Sequence, residues 1–169
     1  MGKRSIKEDK NIYQLAREEA DLTRAEASEA LEFISENKLA NIEYDKTPAQ
    51  PDEILAMAKA YKKPSLCNYY CSNECPIGQE LVPEIKPASL AEIVLEMLSD
   101  INSVNKTKER LIEITADGVV DDDELADFVR IQKELEALSL SVDSLNLWVD
   151  EMISSGKIDA KKLKKLQDM

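Results

Sequence analysis

Residues 22–45 constrain the fold more than any other stretch of this chain. Two helix starts stand twelve residues apart, at Thr23 and Ser35. Thr23 precedes Arg24-Ala25-Glu26, a Thr-x-x-Glu capping box. In that box the hydroxyl accepts from the third amide and the carboxylate reaches back to the cap. Ala27, Ala30 and Leu31 then make a small apolar face at helical spacing. Ser35 caps a second helix over about 35–43, with Leu39 and Ile42 on its inner side. About three residues separate the two. The spacing predicts a helix-turn-helix, whose second helix fits a DNA major groove. Capped helix pairs also occur in all-α proteins that never touch DNA.

The flanks extend this pattern. A helix is expected over about 11–20, with Ile12, Leu15 and Ala16 inward. Another runs over 51–61, with Pro51 in its permitted first turn. The order Ala16-Arg17-Glu18, Leu22-Thr23-Arg24-Ala25-Glu26-Ala27, Ile34-Ser35, Asn41-Ile42-Glu43, Pro51-Asp52-Glu53-Ile54-Leu55-Ala56-Met57-Ala58 resembles the Cro/xenobiotic-response-element class of helix-turn-helix regulators. Asn68-Tyr69-Tyr70-Cys71-Ser72, Glu74 and Cys75-Pro76-Ile77-Gly78 are similar to a group of clostridial regulators of that class. The class resemblance covers about 11–62. It implies an all-α fold with a lambda-repressor-like head, binding duplex DNA as a repressor. Two positions depart from the class. Its turn glycine is replaced by Glu32-Phe33-Ile34, and Asp45 stands where it often has glycine after the second helix.

Side-chain chemistry then nominates the readers. Asn37, Lys38 and Asn41 are candidates for base edges, since Asn can read adenine and Lys guanine. Arg24, Ser35 and Lys46 are candidates for phosphates, which set register.

Charge weighs against this reading, because Lys and Arg supply most of the affinity for DNA. The net charge is −12. It is unevenly spread: residues 1–65 hold 11 basic and 13 acidic side chains, and residues 66–169 hold 11 and 21. A nearly neutral head can still bind if Lys3, Arg4, Lys7, Arg24, Lys38 and Lys46 share a face. One such head binds weakly, so a homodimer is expected. The chain is 43% hydrophobic but 5% aromatic, with four glycines and no strand-like alternation, which favours helices. No run of 18 apolar residues suggests a membrane span, and the charged first ten residues do not read as a secretion signal. A cytoplasmic location is expected.

Three parts are readable. The head covers about 1–75, a linker with Pro76, Gly78, Pro83 and Pro87 covers about 76–88, and a helical hairpin covers 89–169. The hairpin opens with a second capping box, Ser89 to Glu92. Leu90, Val94, Met97, Ile101, Val104 and Leu111 then follow at three- and four-residue steps. The helix they mark ends near Asp117-Gly118. A second seam runs Ile131, Leu135, Leu138, Val142, Leu145, Val149 and Met152, with Trp148 beside it. Two such stripes with a short connection read as a long antiparallel hairpin, which would pair two chains or fold back on its own head. The last helix, about 160–168, carries Lys161, Lys162, Lys164 and Lys165.

Catalytic chemistry finds little support. The chain has no histidine, no glycine-rich phosphate loop and no serine-nucleophile motif, so it reads as no enzyme and needs no cofactor. Cys67, Cys71 and Cys75 fall four residues apart, and on one helix would share a face. A closed zinc site wants four ligands. Core packing between helices is the simpler role for these thiols. Residues 113–124 have the outline of a calcium loop, but Glu113 stands where Asp is needed first. A capped helix connection explains the same residues. The alternative to a DNA-binding regulator is an acidic protein-interaction module, or an inhibitor that imitates nucleic acid, with a basic protein as partner.

Overall fold

The computed structural model describes residues 10–168. Lys3, Arg4 and Lys7 lie outside them. Among the described residues the chain is all-α, and none of its helices is long and apolar enough to cross a membrane. Two compact units form. One takes residues up to Glu84 together with Val149 onward, and the other takes Ile85–Trp148.

In the first unit, α1 (Ile12–Glu19), α2 (Arg24–Leu31), α3 (Glu36–Glu43), α4 (Pro51–Ala60) and α5 (Ser65–Asn73) surround one core. That core gathers Tyr13, Ala16, Ala27, Leu31, Ile34, Leu39, Ile42, Ile54, Met57, Tyr61 and Leu66. The expected caps form. Thr23 and Glu26 close their box at the start of α2, and Ser35 Oγ accepts from the Lys38 amide at 3.3 Å. Asn11 caps α1 through the Gln14 amide at 3.0 Å. One inward assignment is corrected. Leu15 is 45% exposed, because α1 turns Tyr13, Gln14, Ala16 and Arg17 to the core instead.

The helices are tied by charges that the core encloses. Arg17 donates to both carboxylate oxygens of Glu43, at 2.5 and 2.9 Å, and to the Leu22 carbonyl at 2.6 Å. Arg24 donates to the same carboxylate at 2.7 Å and stacks over Tyr44, 4.9 Å from its ring centroid. Asn11 Nδ2 reaches the end of α3, donating to the Ile42 carbonyl at 2.8 Å and to Asp45 at 2.9 Å. Tyr13 donates to Glu74 at 2.7 Å, joining α1 to the end of α5. Burial, then that bond to Glu74, push the Tyr13 phenol far above its usual range.

The expected break at Pro76 and Gly78 is a helix. The chain leaves α5 at Glu74 and re-enters α6 (Pro76–Leu81). Pro76 stands in the first turn, where its missing N–H costs nothing. Gly78 is buried because α6 lies flush on α5: a Cβ there would stand 2.0 Å from the Cys71 carbonyl oxygen. At the other end of the chain, α9 (Ala160–Gln167) starts from Asp159, which accepts from the Lys161 and Lys162 amides. Ser154 Oγ donates to the Lys62 carbonyl at 3.2 Å, fastening the C-terminal segment to the turn after α4.

The second unit contains α7 (Leu90–Ile114) and most of α8 (Leu125–Ser154). The two pack together as an antiparallel pair. Asp100 accepts from Ser141, Glu134 accepts from Thr107 at 2.7 Å, and Asp127 accepts from Arg110 at 2.9 Å. The partner numbers fall as the α7 numbers rise. The heptad period on α7 is right but its phase is shifted. Ile93, Thr107 and Ile114 are the buried positions, while Leu90, Val94 and Ile101 are exposed. On α8, Ile131 and Ser141 are buried, and Leu135 and Val142 are exposed.

Candidate nucleic-acid interface

Helix α3 is fixed from within. Leu39, Ile42 and Glu43 face the core, and Glu43 meets Arg17 and Arg24 there. Its opposite side carries exposed Glu36 and Asn37, with Ala40 and Asn41 half-buried beside them. Asn41 also ends the helix, its carbonyl accepting the Lys46 amide at 2.8 Å.

The six nominated residues divide into distinct groups. Asn37 and Asn41 lie on the outer side of α3. Ser35 is its cap, just before Glu36. Lys46 is exposed, its ammonium 5.7 Å from the Tyr44 ring centroid. Arg24 and Lys38 are engaged with other side chains of the unit. Arg24 is committed to Glu43 and Tyr44, and the Lys38 ammonium pairs with Glu53 on α4 although the side chain is 43% exposed. Glu53 in turn accepts the Gln50 amide at 2.9 Å, so Lys38 braces α3 against the start of α4.

The neighbouring surface is acidic. Glu26, Glu29, Glu32 and Glu36 are all exposed along α2 and the α2–α3 turn, with Phe33 61% exposed among them. The turn itself is held by Ser28, whose hydroxyl donates to the Ile34 carbonyl at 2.8 Å. The backbone has positive φ at Glu32 in the turn, 57°, and at Asp45 after α3, 55°. An L side chain sits there at a cost of about 1 kcal/mol. Asp45 offsets part of that through its bond from Asn11.

The C-terminal segment adds five basic and four acidic side chains to this unit. Residues 1–84 with 149–169 carry 16 basic and 20 acidic side chains, against 6 and 14 in residues 85–148. Five of those 16 are Lys157, Lys161, Lys162, Lys164 and Lys165, all exposed.

The residues that organise the site were not among those nominated for it: Asn11, Arg17, Glu43, Tyr44 and Glu53. A faint signal existed, since Glu43 falls on an otherwise apolar inner face and Arg17 beside buried Tyr13 and Ala16. A charge in such a place needs an opposite partner.

The thiols do not share one helix face. Cys67 and Cys71 are on α5, whereas Cys75 is the N-cap of α6. All three are free, and among the described residues no group of three or more Cys, His, Asp or Glu side chains is placed to hold a metal ion. In the 113–124 segment, Asp117 accepts the Val119 amide at 3.0 Å and Gly118 turns the chain at φ 78°. Burial pushes the Cys67 thiol up, Cys71 adds to this and Lys59 opposes it. A raised thiol holds less thiolate at neutral pH, and the thiolate is the reactive form. Iodoacetamide is therefore expected to label Cys67 more slowly than free cysteine, with the lag narrowing as pH rises. Peptide mass spectrometry of a labelling time course checks this, and labelling at the free rate at neutral pH would refute it.

No protein family, curated protein or solved structure matches the chain.

Proposed function

We propose that this protein is a sequence-specific DNA-binding transcription regulator, a repressor, working as a dimer with α3 in the major groove. The observation that carries the reading is the two-sidedness of α3. Its inner side is locked by Glu43 to two arginines, which leaves Asn37 and Asn41 on the outer side of a rigid element. Asn can meet the N6/N7 edge of adenine with two bonds. Lys46 and Ser35, exposed near the two ends of α3, would contact phosphates in this reading. Arg24 and Lys38 act in this reading as struts that aim the helix. The lysines of α9 lessen the acidity of the unit that contains it.

The test is selection from random duplex oligonucleotides. The expected outcome is an enriched sequence. Asn37→Ala should then lose discrimination at one position by about 1–3 kcal/mol, the size of one bidentate base contact. No enrichment for the full chain would end the proposal.

One observation favours a second reading. The exposed carboxylates Glu26, Glu29, Glu32 and Glu36 flank the same surface and suit a basic protein partner. Binding to random duplex, titrated against salt, separates the two. Phosphate contacts give a steep loss of affinity with salt, and an acidic interaction module gives no binding to lose.

A further inference from the structure

The cations of the first unit fall into two sets. Lys10, Arg17, Arg24, Lys38 and Lys63 each pair with a carboxylate of the same unit. Lys161, Lys162, Lys164 and Lys165 on α9 are exposed, and among the described residues none of them forms an ion pair. At 100° per residue these four fall within an arc of about 160°, with Leu163 and Leu166 on the other side. Leu163 is half-buried, so the lysine arc is the side turned to solvent. Asp159 is the one acidic residue of 157–167, and its carboxylate is engaged by the Lys161 and Lys162 amides. A distant segment meets this one. Ser154 Oγ donates to the Lys62 carbonyl at 3.2 Å, which sets the turn after α4 against the end of α8. Lys157 follows three residues later, and both it and Lys62 are exposed.

We infer that Lys62, Lys157 and the lysine face of α9 grip the phosphate backbone of duplex DNA without reading its sequence. This deepens the DNA reading proposed above and rests on it: α3 selects the sequence and α9 supplies the affinity that a nearly neutral head lacks. The chemistry of the face chooses the partner. Four neighbouring ammonium groups with no carboxylate among them call for a chain of anions, and each phosphate they neutralise releases a condensed counterion. Lysine meets phosphate as a compact point charge, which fixes no register and carries no sequence information. The net charge of −12 acts mainly elsewhere. Residues 85–148 hold 6 basic and 14 acidic side chains, whereas 157–167 hold five and one. Exposed charges more than about 8 Å apart are largely screened at physiological salt. An anionic membrane fits this helix less well. A helix lying in a bilayer interface buries a wide apolar face. Here Leu163 is turned to the protein, which leaves Leu166, 62% exposed, as the one large apolar side chain on offer.

Binding of the full chain to a random-sequence duplex, titrated against salt, reads these contacts. Each neutralised phosphate contributes about −0.9 to the slope of log K against log salt. Lys161→Gln, Lys162→Gln, Lys164→Gln and Lys165→Gln together should flatten that slope by about 2–4, while duplex selection returns the wild-type sequence. Circular dichroism should show unchanged helix, since the four side chains are exposed and glutamine suits a helix about as well as lysine. Should α9 fray in that variant, Lys62→Gln with Lys157→Gln decides by the same readout, with a slope flatter by about 1–2. An unchanged slope overturns the inference. So does a wild-type chain that binds no duplex, whatever it does with phosphatidylserine vesicles. The two readings fail separately. A slope that falls with the lysines but no enriched sequence sinks α3 alone, and an enriched sequence whose binding ignores the lysines sinks α9 alone.

Discussion

Glu43→Ala is expected to cost the α1–α5 unit about 3–5 kcal/mol of stability. The alanine removes one carboxylate but strands two cations. Arg17 is buried, and both its Nε and Nη2 point at Glu43. Arg24 loses the acceptor for its Nε and keeps Tyr44. Removing one partner of a buried pair costs about 3–5 kcal/mol, because the remaining charge stays out of water. A domain's whole stability is about 5–15 kcal/mol, so the loss is a large share of it. Glu43→Gln keeps the shape and two acceptor lone pairs but not the charge, and should fall between alanine and wild type. Urea unfolding followed by circular dichroism orders the three. A shift for alanine of under about 1 kcal/mol would show that the arginines find other partners and that α3 is not held this way.

Gly78→Ala is the second large effect, and intrinsic propensity predicts the opposite sign. Within a helix, alanine should gain about 1 kcal/mol over glycine. Here the added methyl would stand 2.0 Å from the Cys71 carbonyl oxygen, 2.7 Å from its carbon and 3.0 Å from its Cα. All three are backbone atoms of α5, so no side chain can swing away. The helices must separate, and overpacking of this kind costs about 1–3 kcal/mol, or more where the backbone cannot move. The net change is expected to be destabilising by about 2 kcal/mol. Gly118 provides the contrast. It has nothing within 4 Å of a Cβ but a φ of 78°, so Gly118→Ala reports left-handed strain alone, about 1 kcal/mol. Thermal melts of the two variants measure crowding against strain. If Gly78→Ala melts above wild type, α6 does not lie on α5 as described.

The helix starts were readable because capping is local. Thr23, Ser35 and Ser89 each sit within three residues of the amide or carboxylate they bind, so the motif contains its own cause. Helix α6 was not readable, since Pro76 and Gly78 are both punctuation marks in a sequence. Pro76 is harmless at a first turn, and Gly78 is there because of α5, which only packing reveals. The period of α7 was legible and its phase was not. Asp100 and Thr107 count as outward residues by polarity, yet they face α8, where Ser141 and Glu134 satisfy them. The same limit applies at the candidate interface. Asn37 can be nominated from its place on a helix. Lys38 cannot be assigned without Glu53, which lies fifteen residues on and pairs through space.

Asn11 makes three bonds with one side chain: to the Gln14 amide, to the Ile42 carbonyl and to Asp45. The first exists as soon as α1 forms. The other two wait for a segment that arrives 31 residues later. Fraying at the beginning of α1 therefore loosens the final turn of α3 in the same event. Hydrogen exchange at these distant ends should thus report one shared opening. A single side-chain amide thus couples the opening of α1 to that of α3.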